Sequence, residues 1–342
     1  MNMCNIEPLV KVLNNSLEIS HHNSHFYHGS PFYTVVFKMY LYIHPGLCIA
    51  GVLENITSVV VFCSKSLRRV SSNVYLAALS AASCLFCFGN FLVWLETLNV
   101  GFIHQDIVCQ AIIYTTYICS FLTVWFVVCI TFENFLITAN IRCAVDVCTV
   151  TKARAMVVIL TVFAFGLYSF SLWTTHVTTI GGKEHCTHET ELEHVIHIFT
   201  FIDIIITSIL PCMTMVVFLA AINVKIIMKR ISREPTDTHQ APRRARRNSK
   251  RTYQMLTRIT KVLLAIGLTF TVFSFPTSIN KMRILFSDQR RLRNPYVEWA
   301  INQLCLLVYY CSFCAYFFIY IKFSANYKKV LVSKMHFIVK SI

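Results

Sequence analysis

Charged side chains and glycine are both scarce in this sequence of 342 residues. Only 14% of the residues are charged and only 9 are glycine, whereas 56% are apolar. A soluble globular domain has about 25% charged residues. The composition therefore argues against a soluble enzyme and favours a chain that is surrounded by lipid.

The sequence also lacks the common signatures of catalysis. It contains no glycine-rich phosphate-binding loop, no His-Glu-x-x-His zinc motif and no Gly-x-Ser-x-Gly nucleophile motif. Its histidines do not show the tight Cys/His spacing of a zinc site, so we expect neither a metal nor another cofactor. We therefore expect a protein that is not an enzyme.

Seven long apolar runs take up most of the chain. They cover residues 36–63, 73–97, 108–138, 153–176, 196–227, 258–284 and 297–321. Each run is long enough to cross a hydrocarbon core of roughly 30 Å as a helix, and none shows the alternation of a β-strand. Backbone groups in lipid need hydrogen-bond partners within the chain. The runs therefore predict an all-α membrane protein, a seven-transmembrane helix bundle.

Basic residues are concentrated in alternate connecting segments. The segments with a net positive charge are 65–70, 140–154, 225–261 and 322–342. The third of these has twelve Lys or Arg residues against Glu234 and Asp237. The positive-inside rule then places the amino terminus outside and the carboxyl terminus in the cytosol. Topology thus accounts for the net charge of +15, and nucleic-acid binding is not needed to explain it.

Hydropathy and charge divide the chain into three parts. Residues 1–34 are expected to form an extracellular tail, 35–321 the seven-transmembrane domain and 322–342 a cytoplasmic tail. In this last part, apolar residues recur among five lysines. Such a pattern predicts a short amphipathic helix that lies on the inner leaflet after the seventh span.

The basic inner loop 228–257 is the longest polar segment between two runs, and we expect it to be disordered. Its central basic cluster consists of Arg243, Arg244, Arg246 and Arg247. A basic segment of this kind serves topology as a solvated anchor, contacts anionic lipid headgroups or contacts a cytosolic protein.

Two cysteines on the outer side begin a series of landmarks. Cys109 opens the third run, Cys186 lies in the acidic second outer loop, and Asn134 follows near the inner end of the third run. Further landmarks along the chain are Asn55, Pro211, Phe270, Pro276 and Tyr320. In order and spacing, these residues resemble the rhodopsin-like (class A) G-protein-coupled receptors. The likeness is greatest to the chemokine-receptor branch, and particularly to the chemokine receptor homologues encoded by betaherpesviruses.

The resemblance implies several site residues. A disulfide between Cys109 and Cys186 would hold the second outer loop over a ligand cavity. The residues that would face the G protein are Glu133, Asn134, Phe135, Arg243, Arg244, Arg246 and Arg247. The residues that would form the helix switch are Asn55, Ser83, Pro211, Phe270, Ser274, Pro276, Tyr316 and Tyr320.

Parts of that switch differ from the family pattern. Asn134 stands where the family has the arginine of Asp/Glu-Arg-Tyr, and Ser83 where it has the aspartate of a sodium pocket. Ser274 replaces the tryptophan of the sixth helix, and Tyr316-Phe317 replaces the Asn-Pro of the seventh. An amide has neither a permanent charge nor the fork of donors that arginine has. These replacements put conventional activation of a G protein in question and leave the fold intact.

Ionisable residues within apolar runs need a reason, because each costs about 2.5–3.5 kcal/mol on insertion scales. Asp203 and Lys281 lie at the level of the family's ligand cavity. Asp203 either faces a ligand or Lys281, or lies near the headgroups. The second outer loop adds acids that would attract a basic peptide, namely Glu184, Glu189, Glu191 and Glu193. Asn14 begins an Asn-x-Ser acceptor in the outer tail, where we expect a glycan.

The resemblance implies a virus-encoded, multi-pass receptor in the host plasma membrane, with the virion envelope as a further location. Such a receptor would bind a chemokine of the CC type, or another basic peptide, and modulate signalling through heterotrimeric G proteins. Its further partners would be membrane lipid and other receptor copies. One alternative is a signalling-deficient homologue that scavenges chemokines or pairs with host receptors. An alternative from another class is a small-solute transporter.

Overall fold

Seven long helices make up most of the protein. The computed structural model describes residues 31–98, 105–139, 146–180, 183–188, 192–231, 243–286 and 295–341. Within these ranges, seven helices are long and apolar enough to cross a membrane. The predicted seven-helix bundle is therefore confirmed. The extracellular tail 1–34 lies almost entirely outside the described residues.

The first half of the bundle contains four helices. They are α1 (Pro31–Phe62), α2 (Ser71–Glu96), α3 (Asp106–Ala139) and α4 (Val150–Leu167). Helix α3 is the most deeply buried span, whereas α4 has the smallest buried share and faces lipid over most of its surface. Helix α4 begins after Thr149, whose side chain accepts a hydrogen bond from the backbone N–H of Lys152. This cap satisfies a donor that a helix start would otherwise leave without a partner.

The second half contains the fifth, sixth and seventh spans. The short helix α5 (Ser171–Thr174) ends the fourth span. The helices of the second half are α6 (Glu193–Ile204), α7 (Leu210–Ile231), α8 (Arg243–Phe286) and α9 (Pro295–Phe323). A π-helical turn, Ile205–Ile209, joins α6 to α7, so that the three form one span. Pro211 is the second residue after this turn. A proline has no N–H for the helical ladder, and a wider turn accommodates that loss.

A β-hairpin follows the fourth span and belongs to the second outer loop. Strands β1 (Thr175–Ile180) and β2 (Lys183–His188) are antiparallel, and Val177 lies opposite Cys186. These strands were not predicted from the sequence. Their residues alternate little in hydropathy, and β1 includes three threonines, whose branched side chains favour extended backbone.

The start of α8 differs from the prediction for the inner loop. We predicted disorder over 228–257, but the residues from Arg243 onward continue the sixth span as one helix, and 228–231 belong to α7. The prediction is therefore wrong for these two parts, while 232–242 lie outside the described residues. No glycine or proline interrupts the chain between Pro242 and Gly267. Arg, Lys, Ala, Gln, Leu and Met, which are frequent there, favour helix.

A further helix, α10 (Ala325–Ser341), follows the seventh span, as predicted. Tyr327 and Leu331 are buried against the bundle, whereas Lys328 and Lys329 are exposed. Residues four apart share one helix face, so this arrangement gives α10 an apolar face and a basic face.

The core of the bundle is rich in aromatic side chains. The largest fully buried aromatic residues are Tyr168, Tyr316, Tyr320, Tyr327, Phe86, Phe121, Phe126, Phe270 and Phe313. They come mainly from α2, α3, α8 and α9, which therefore surround the centre of the bundle. Aromatic rings bury large areas and prefer edge-to-face or offset contacts, which fix the spacing of the helices that carry them.

Candidate functional site

The hairpin is joined covalently to the third span. Cys109 of α3 and Cys186 of β2 form a disulfide with a Cα–Cα distance of 5.8 Å, and both residues are buried. The predicted disulfide is thus confirmed. It lies at the end of the bundle opposite the basic start of α8, which agrees with an oxidising outer side.

Two carboxylates hold the hairpin on either side of the disulfide. The backbone N–H of Val177 donates to Asp106 Oδ1 at 2.7 Å, and that of Cys186 donates to Glu96 Oε1 at 3.3 Å. The side-chain amide of Gln110 donates to the carbonyl of Thr175 at 3.1 Å. The ends of α2 and α3 therefore fix the hairpin, a role that the sequence analysis missed because the acceptors bind backbone groups distant in sequence.

Asp203 is the polar centre of the outer half of the bundle. The hydroxyl of Tyr168 donates to Asp203 Oδ1 at 2.6 Å, and Lys281 Nζ lies 3.9 Å from Asp203 Oδ2. Asp203 was expected either to face a ligand or Lys281, or to lie near the headgroups. The structure agrees with the first alternative, since Asp203 is paired with Lys281. Their side chains keep 14% and 20% of their surface exposed, so both remain partly accessible.

The acidic residues of the second outer loop are only partly described. Glu184 belongs to β2 and Glu193 begins α6, but their side chains lie outside the described part. Glu189, Glu191 and the glycan acceptor Asn14 fall outside the described residues altogether. The ligand-facing role of these acids and the glycan on Asn14 therefore stay predictions.

Two further contacts close the outer end between the first, sixth and seventh spans. Arg283 of α8 donates to the carboxylate of Glu298 in the first turn of α9. The ring of Trp299 packs between Tyr33 and Tyr40 of α1, with centroid distances of 5.5 and 5.7 Å. Sequence reasoning missed both contacts, although four aromatic residues recur near the start of α1 and offered a signal for the second.

Among the predicted switch residues, those of the sixth span lie at the centre of the bundle. Phe270 is buried and meets the ring of Tyr309 edge-on at 6.2 Å. Ser274 is buried one turn further along, and Pro276 interrupts the hydrogen bonds of α8 without ending the helix. A proline inside a helix is a common site of bending, and Pro276 lies six residues after the packed ring of Phe270.

The remaining switch residues are also buried. Asn55 donates from its amide to the carbonyl of Gly51 in the same helix at 2.8 Å. Ser83, Tyr316 and Tyr320 are buried on α2 and α9. Their role in activation stays a prediction.

The inner end of the third span is tied to the second span. Glu133 Oε2 accepts hydrogen bonds from the hydroxyls of Ser71 at 3.1 Å and Ser72 at 2.8 Å. These serines are the first residues of α2, which has no side-chain cap of its own at Val70. An acidic group is favourable there because the first N–H groups of a helix carry partial positive charge. Glu133 therefore helps to cap a neighbouring helix.

The other two residues of this motif are packed inside the bundle. Asn134 is fully buried, and Phe135 stacks on Phe218 of α7 with a centroid distance of 5.7 Å. All three residues of the motif therefore make contacts within the bundle in this conformation. Their predicted contact with a G protein is not tested, and neither is that of the four arginines, whose side chains lie outside the described part.

Two polar groups at the inner end lie outside the membrane-spanning segments and have perturbed acidity. Burial raises the pKa of the Tyr327 phenol to about 12. Burial, together with the carboxylate of Glu133, raises the pKa of the Cys148 thiol to about 11. Both groups are therefore neutral at physiological pH.

No group of three or more His, Cys, Asp or Glu residues that could hold a metal occurs within the described ranges. The residues brought together at the outer end are instead a carboxylate, an ammonium group and a phenol beneath a disulfide-anchored hairpin. Such an arrangement suits the recognition of a charged or polar ligand by hydrogen bonds and ion pairs.

Comparison with known proteins agrees with this geometry. No curated protein sequence matches the chain significantly. The profile of the 7 transmembrane receptor (rhodopsin family) matches residues 54–320, which include the disulfide, Asp203 and the inner-end motif. Members of this family bind a ligand and act through G proteins. The match extends over more than half of the chain, and the protein therefore belongs to the rhodopsin family of seven-transmembrane receptors.

Proposed function

We propose that this receptor is a virus-encoded chemokine receptor homologue that binds a basic extracellular peptide, a CC-type chemokine, and modulates heterotrimeric G-protein signalling of the host cell. The observation that carries the proposal is the partly exposed carboxylate of Asp203, which has Tyr168 on one oxygen and Lys281 near the other. A carboxylate in this position suits a Lys or Arg side chain of a peptide ligand.

The geometry supports a competition at this carboxylate. The ammonium group of Lys281 lies 3.9 Å from Asp203, which is the long end of an ion pair, and both groups are partly hydrated. Such a pair has a small net stability, so a guanidinium or ammonium group of a ligand can replace Lys281. That exchange frees α8 from α6 at the outer end. The bend at Pro276 and the packing of Phe270 then allow a change in the tilt of α8.

The second outer loop supports the choice of a basic ligand. The segment contains one lysine, Lys183, and four acidic residues, which are Glu184, Glu189, Glu191 and Glu193. Complementary charges at the rim of a site increase the rate of encounter more than the final affinity. We therefore propose that the loop attracts the ligand and that Asp203 binds it.

The test is a binding screen on cells that express the receptor, with labelled CC, CXC and other chemokines, read together with calcium flux. We expect saturable binding of at least one CC chemokine and its loss in Asp203→Asn at equal surface level. Ser278→Ala is a matched control on the same side of the bundle. Absence of binding by every chemokine, at verified surface expression, would reject the chemokine assignment while leaving the receptor family unchanged.

A second candidate is a homologue that binds chemokines without coupling to a G protein, as a scavenger or a partner of host receptors. The inner end favours it, since Asn134 is buried in the place of the family's arginine and Glu133 is engaged by Ser71 and Ser72. Chemokine binding and uptake without any calcium response would establish this candidate. A calcium response that depends on bound chemokine would reject it.

The basic start of α8 is the proposed contact for the G protein. The arginines Arg243, Arg244, Arg246 and Arg247 are not needed for orientation, because Lys225 and Lys261 already flank the spans. Changing all four to Gln should leave surface level and chemokine binding intact and reduce signalling. Equal signalling of the quadruple variant would mean that the cluster serves only as a solvated anchor.

The proposal places the receptor in the host plasma membrane and, as a further location, in the virion envelope. Ligand binding and G-protein signalling involve no catalytic step by the receptor itself, so we propose that the protein is a receptor and not an enzyme. Family membership also favours a receptor over a small-solute transporter. Pairing with other receptors is part of the second candidate function, that of a scavenger or a partner of host receptors. Energy transfer between labelled receptors would measure this pairing.

A further inference from the structure

A line of polar side chains joins the outer half of α8 to α9. The hydroxyl of Thr277 donates to the carbonyl of Cys305 at 3.0 Å, and the side-chain amide of Asn280 donates to Asn302 Oδ1 at 3.3 Å. Thr277 and Asn280 are only 8% and 4% exposed, so water competes little for these hydrogen bonds. The two helices are therefore linked by polar groups inside the protein.

A third contact extends this line to the outer end of both helices. Arg283 binds the carboxylate of Glu298 through both terminal nitrogens, one of which also donates to Asn280 Oδ1 at 3.0 Å. A guanidinium group that binds a carboxylate through two nitrogens has a defined orientation. Asn280 thus connects the ion pair near the surface with the hydrogen bonds below it.

Helix geometry brings these residues into register. On α9 the three partners recur at intervals of four and three residues, so they share one face, and on α8 they recur every third residue. We call these six residues the outer clasp: Thr277, Asn280, Arg283, Glu298, Asn302 and Cys305.

A different face of α8 meets the fifth span through longer contacts. Lys281 Nζ lies 3.9 Å from Asp203 Oδ2 in α6, and Ser278 Oγ lies 3.9 Å from Cys212 Sγ in α7. A partly hydrated ion pair with this separation contributes little to stability, and a thiol forms only weak hydrogen bonds. These contacts of α8 with the fifth span are therefore weaker than those of the outer clasp.

We propose that the outer clasp makes the outer halves of α8 and α9 move as one unit, and that the fifth span separates from this unit when the outer end opens. Breaking the clasp would leave a buried hydroxyl and a buried amide without partners, which is costly. Separating Lys281 from Asp203 leaves two groups that water can reach, since both are already partly exposed.

The clasp also positions the charged pair of the outer site. Asn280 directly precedes Lys281 in α8, so the contacts of Asn280 with Asn302 and Arg283 hold the backbone that carries the ammonium group. Asn280 is therefore a positioning residue. One consequence rests on the proposed function: a ligand cation that replaces Lys281 at Asp203 would move the fifth span relative to α8 and α9 together.

The test measures distances between spin labels in the purified, ligand-free receptor. Labels on p-acetylphenylalanine, which spares the native thiols, would be placed in pairs at Met282 and Ile198, from α8 to α6, or at Met282 and Val297, from α8 to α9. In Asp203→Asn, which removes the ion pair, the α8–α6 distances should shift and broaden while the α8–α9 distances stay as in the wild type. Equal broadening of both, or unchanged α8–α6 distances, would overturn the proposal.

A second set of variants changes the clasp itself. Thr277→Val removes a hydroxyl at nearly constant volume, and combined with Asn280→Leu it should broaden the α8–α9 distances. Thr277→Ser keeps the hydroxyl and is the matched control, whose α8–α9 distances should equal those of the wild type. Unchanged α8–α9 distances in the double variant would show that the clasp does not join the two helices and would overturn the proposal.

Melting temperatures distinguish a clasp from three independent contacts. Asn302→Leu and Glu298→Gln together should lower the melting temperature by less than the sum of their separate effects, because their partners Asn280 and Arg283 bind each other. Asp203→Asn should add independently to either change. Additive losses within the clasp would contradict a single unit. None of these measurements uses a ligand, so their failure and a failure of the chemokine assignment are distinguishable.

Discussion

The backbone N–H of Val177 in the hairpin donates a hydrogen bond to Asp106 Oδ1 at 2.7 Å. Asp106 lies three residues before Cys109, which forms the disulfide with the hairpin. The hairpin is thereby held at two points of the same helix end, once by a covalent bond and once by a charged acceptor. A disulfide alone allows rotation about its bonds, whereas the second contact fixes the direction of β1.

This contact predicts a difference between two substitutions of Asp106. Asp106→Ala should remove the acceptor and loosen β1, since a hydrogen bond to a charged group contributes about 1.5–3 kcal/mol. Asp106→Asn retains a side-chain oxygen that can accept the hydrogen bond, so it should lose much less of this free energy. Hydrogen–deuterium exchange at the Val177 amide measures the effect, with an expected acceleration of about 10- to 100-fold for the alanine variant. Equal exchange in both variants and the wild type would contradict the anchoring role.

The parts of the structure that the sequence predicted are those dictated by the membrane. Every segment in contact with lipid must be apolar and helical, so seven runs gave seven spans. The pairing of Cys109 with Cys186 followed from a family resemblance and from the location of both cysteines on the outer side of the membrane. The surface helix followed from the spacing of Tyr327 and Leu331 among lysines, because helical periodicity is local information.

The parts that were missed depend on contacts distant in the sequence. The hydrogen-bond partners of Glu133 are serines more than sixty residues earlier, at a helix start. Ser58 and Tyr327 meet across 269 positions. The periodicity of apolar residues in the sequence does not indicate such pairs. The helical start of α8 was a different error, because charge was given more weight than the absence of helix-breaking residues between Pro242 and Gly267.

Close packing between the first two spans gives a second prediction. A Cβ atom added at Gly51 would lie 2.7 Å from Cys87 Sγ, whereas one added at Gly46 in the same helix would meet nothing within 4 Å. Gly51→Ala should therefore lower the stability of the receptor by about 1–3 kcal/mol. Gly46→Ala should be neutral or slightly stabilising, because alanine favours helix.

Melting temperatures of the purified variants test this difference, and a double variant sharpens it. Cys87→Ala removes the sulfur atom that a new methyl group would meet. The loss caused by Gly51→Ala should therefore be smaller in the Cys87→Ala background than in the wild type. Equal losses in both backgrounds would show that the cost of Gly51→Ala has another origin.

The hydrogen bond between Ser58 and Tyr327 gives a third prediction. The Ser58 hydroxyl also donates to the carbonyl of Glu54 at 2.9 Å, so Tyr327 is the donor in the 2.9 Å bond between the two side chains. Tyr327→Phe should then cost about 0.5–1.5 kcal/mol, because Ser58 keeps its other partner. Ser58→Ala should cost more, about 1–3 kcal/mol, because it leaves the buried Tyr327 hydroxyl without an acceptor.

A double-mutant cycle on thermal stability, with exchange of the α10 amides as a second measurement, tests this pair. The double variant should lose less than the sum of the single variants. The bond should be insensitive to pH below about 10, the ordinary pKa of tyrosine, and should be lost as the pH rises through about 12. Additive losses, or the same α10 exchange in every variant, would contradict a direct bond.

The last prediction concerns two cysteines at the inner end, Cys63 after α1 and Cys148 before α4. Cys63 is exposed, whereas Cys148 is partly buried and has a pKa of about 11 because of burial and the nearby carboxylate of Glu133. Thiolate is the nucleophile, so at pH 7 Cys148 should react on the order of 100-fold more slowly than a free thiol with an ordinary pKa of about 8.5.

Alkylation of the purified receptor with iodoacetamide, followed by peptide mapping, measures both sites in one sample. Cys63 should be labelled first, and the rate at Cys148 should rise about tenfold for each pH unit up to about 11, since the thiolate fraction rises by that factor. Glu133→Gln should accelerate labelling of Cys148, because it removes a negative charge that disfavours the thiolate. The acceleration should be partial, since burial is the larger cause of the raised pKa. Equal rates at Cys63 and Cys148 at pH 7 would show that Cys148 is not protected as its position indicates.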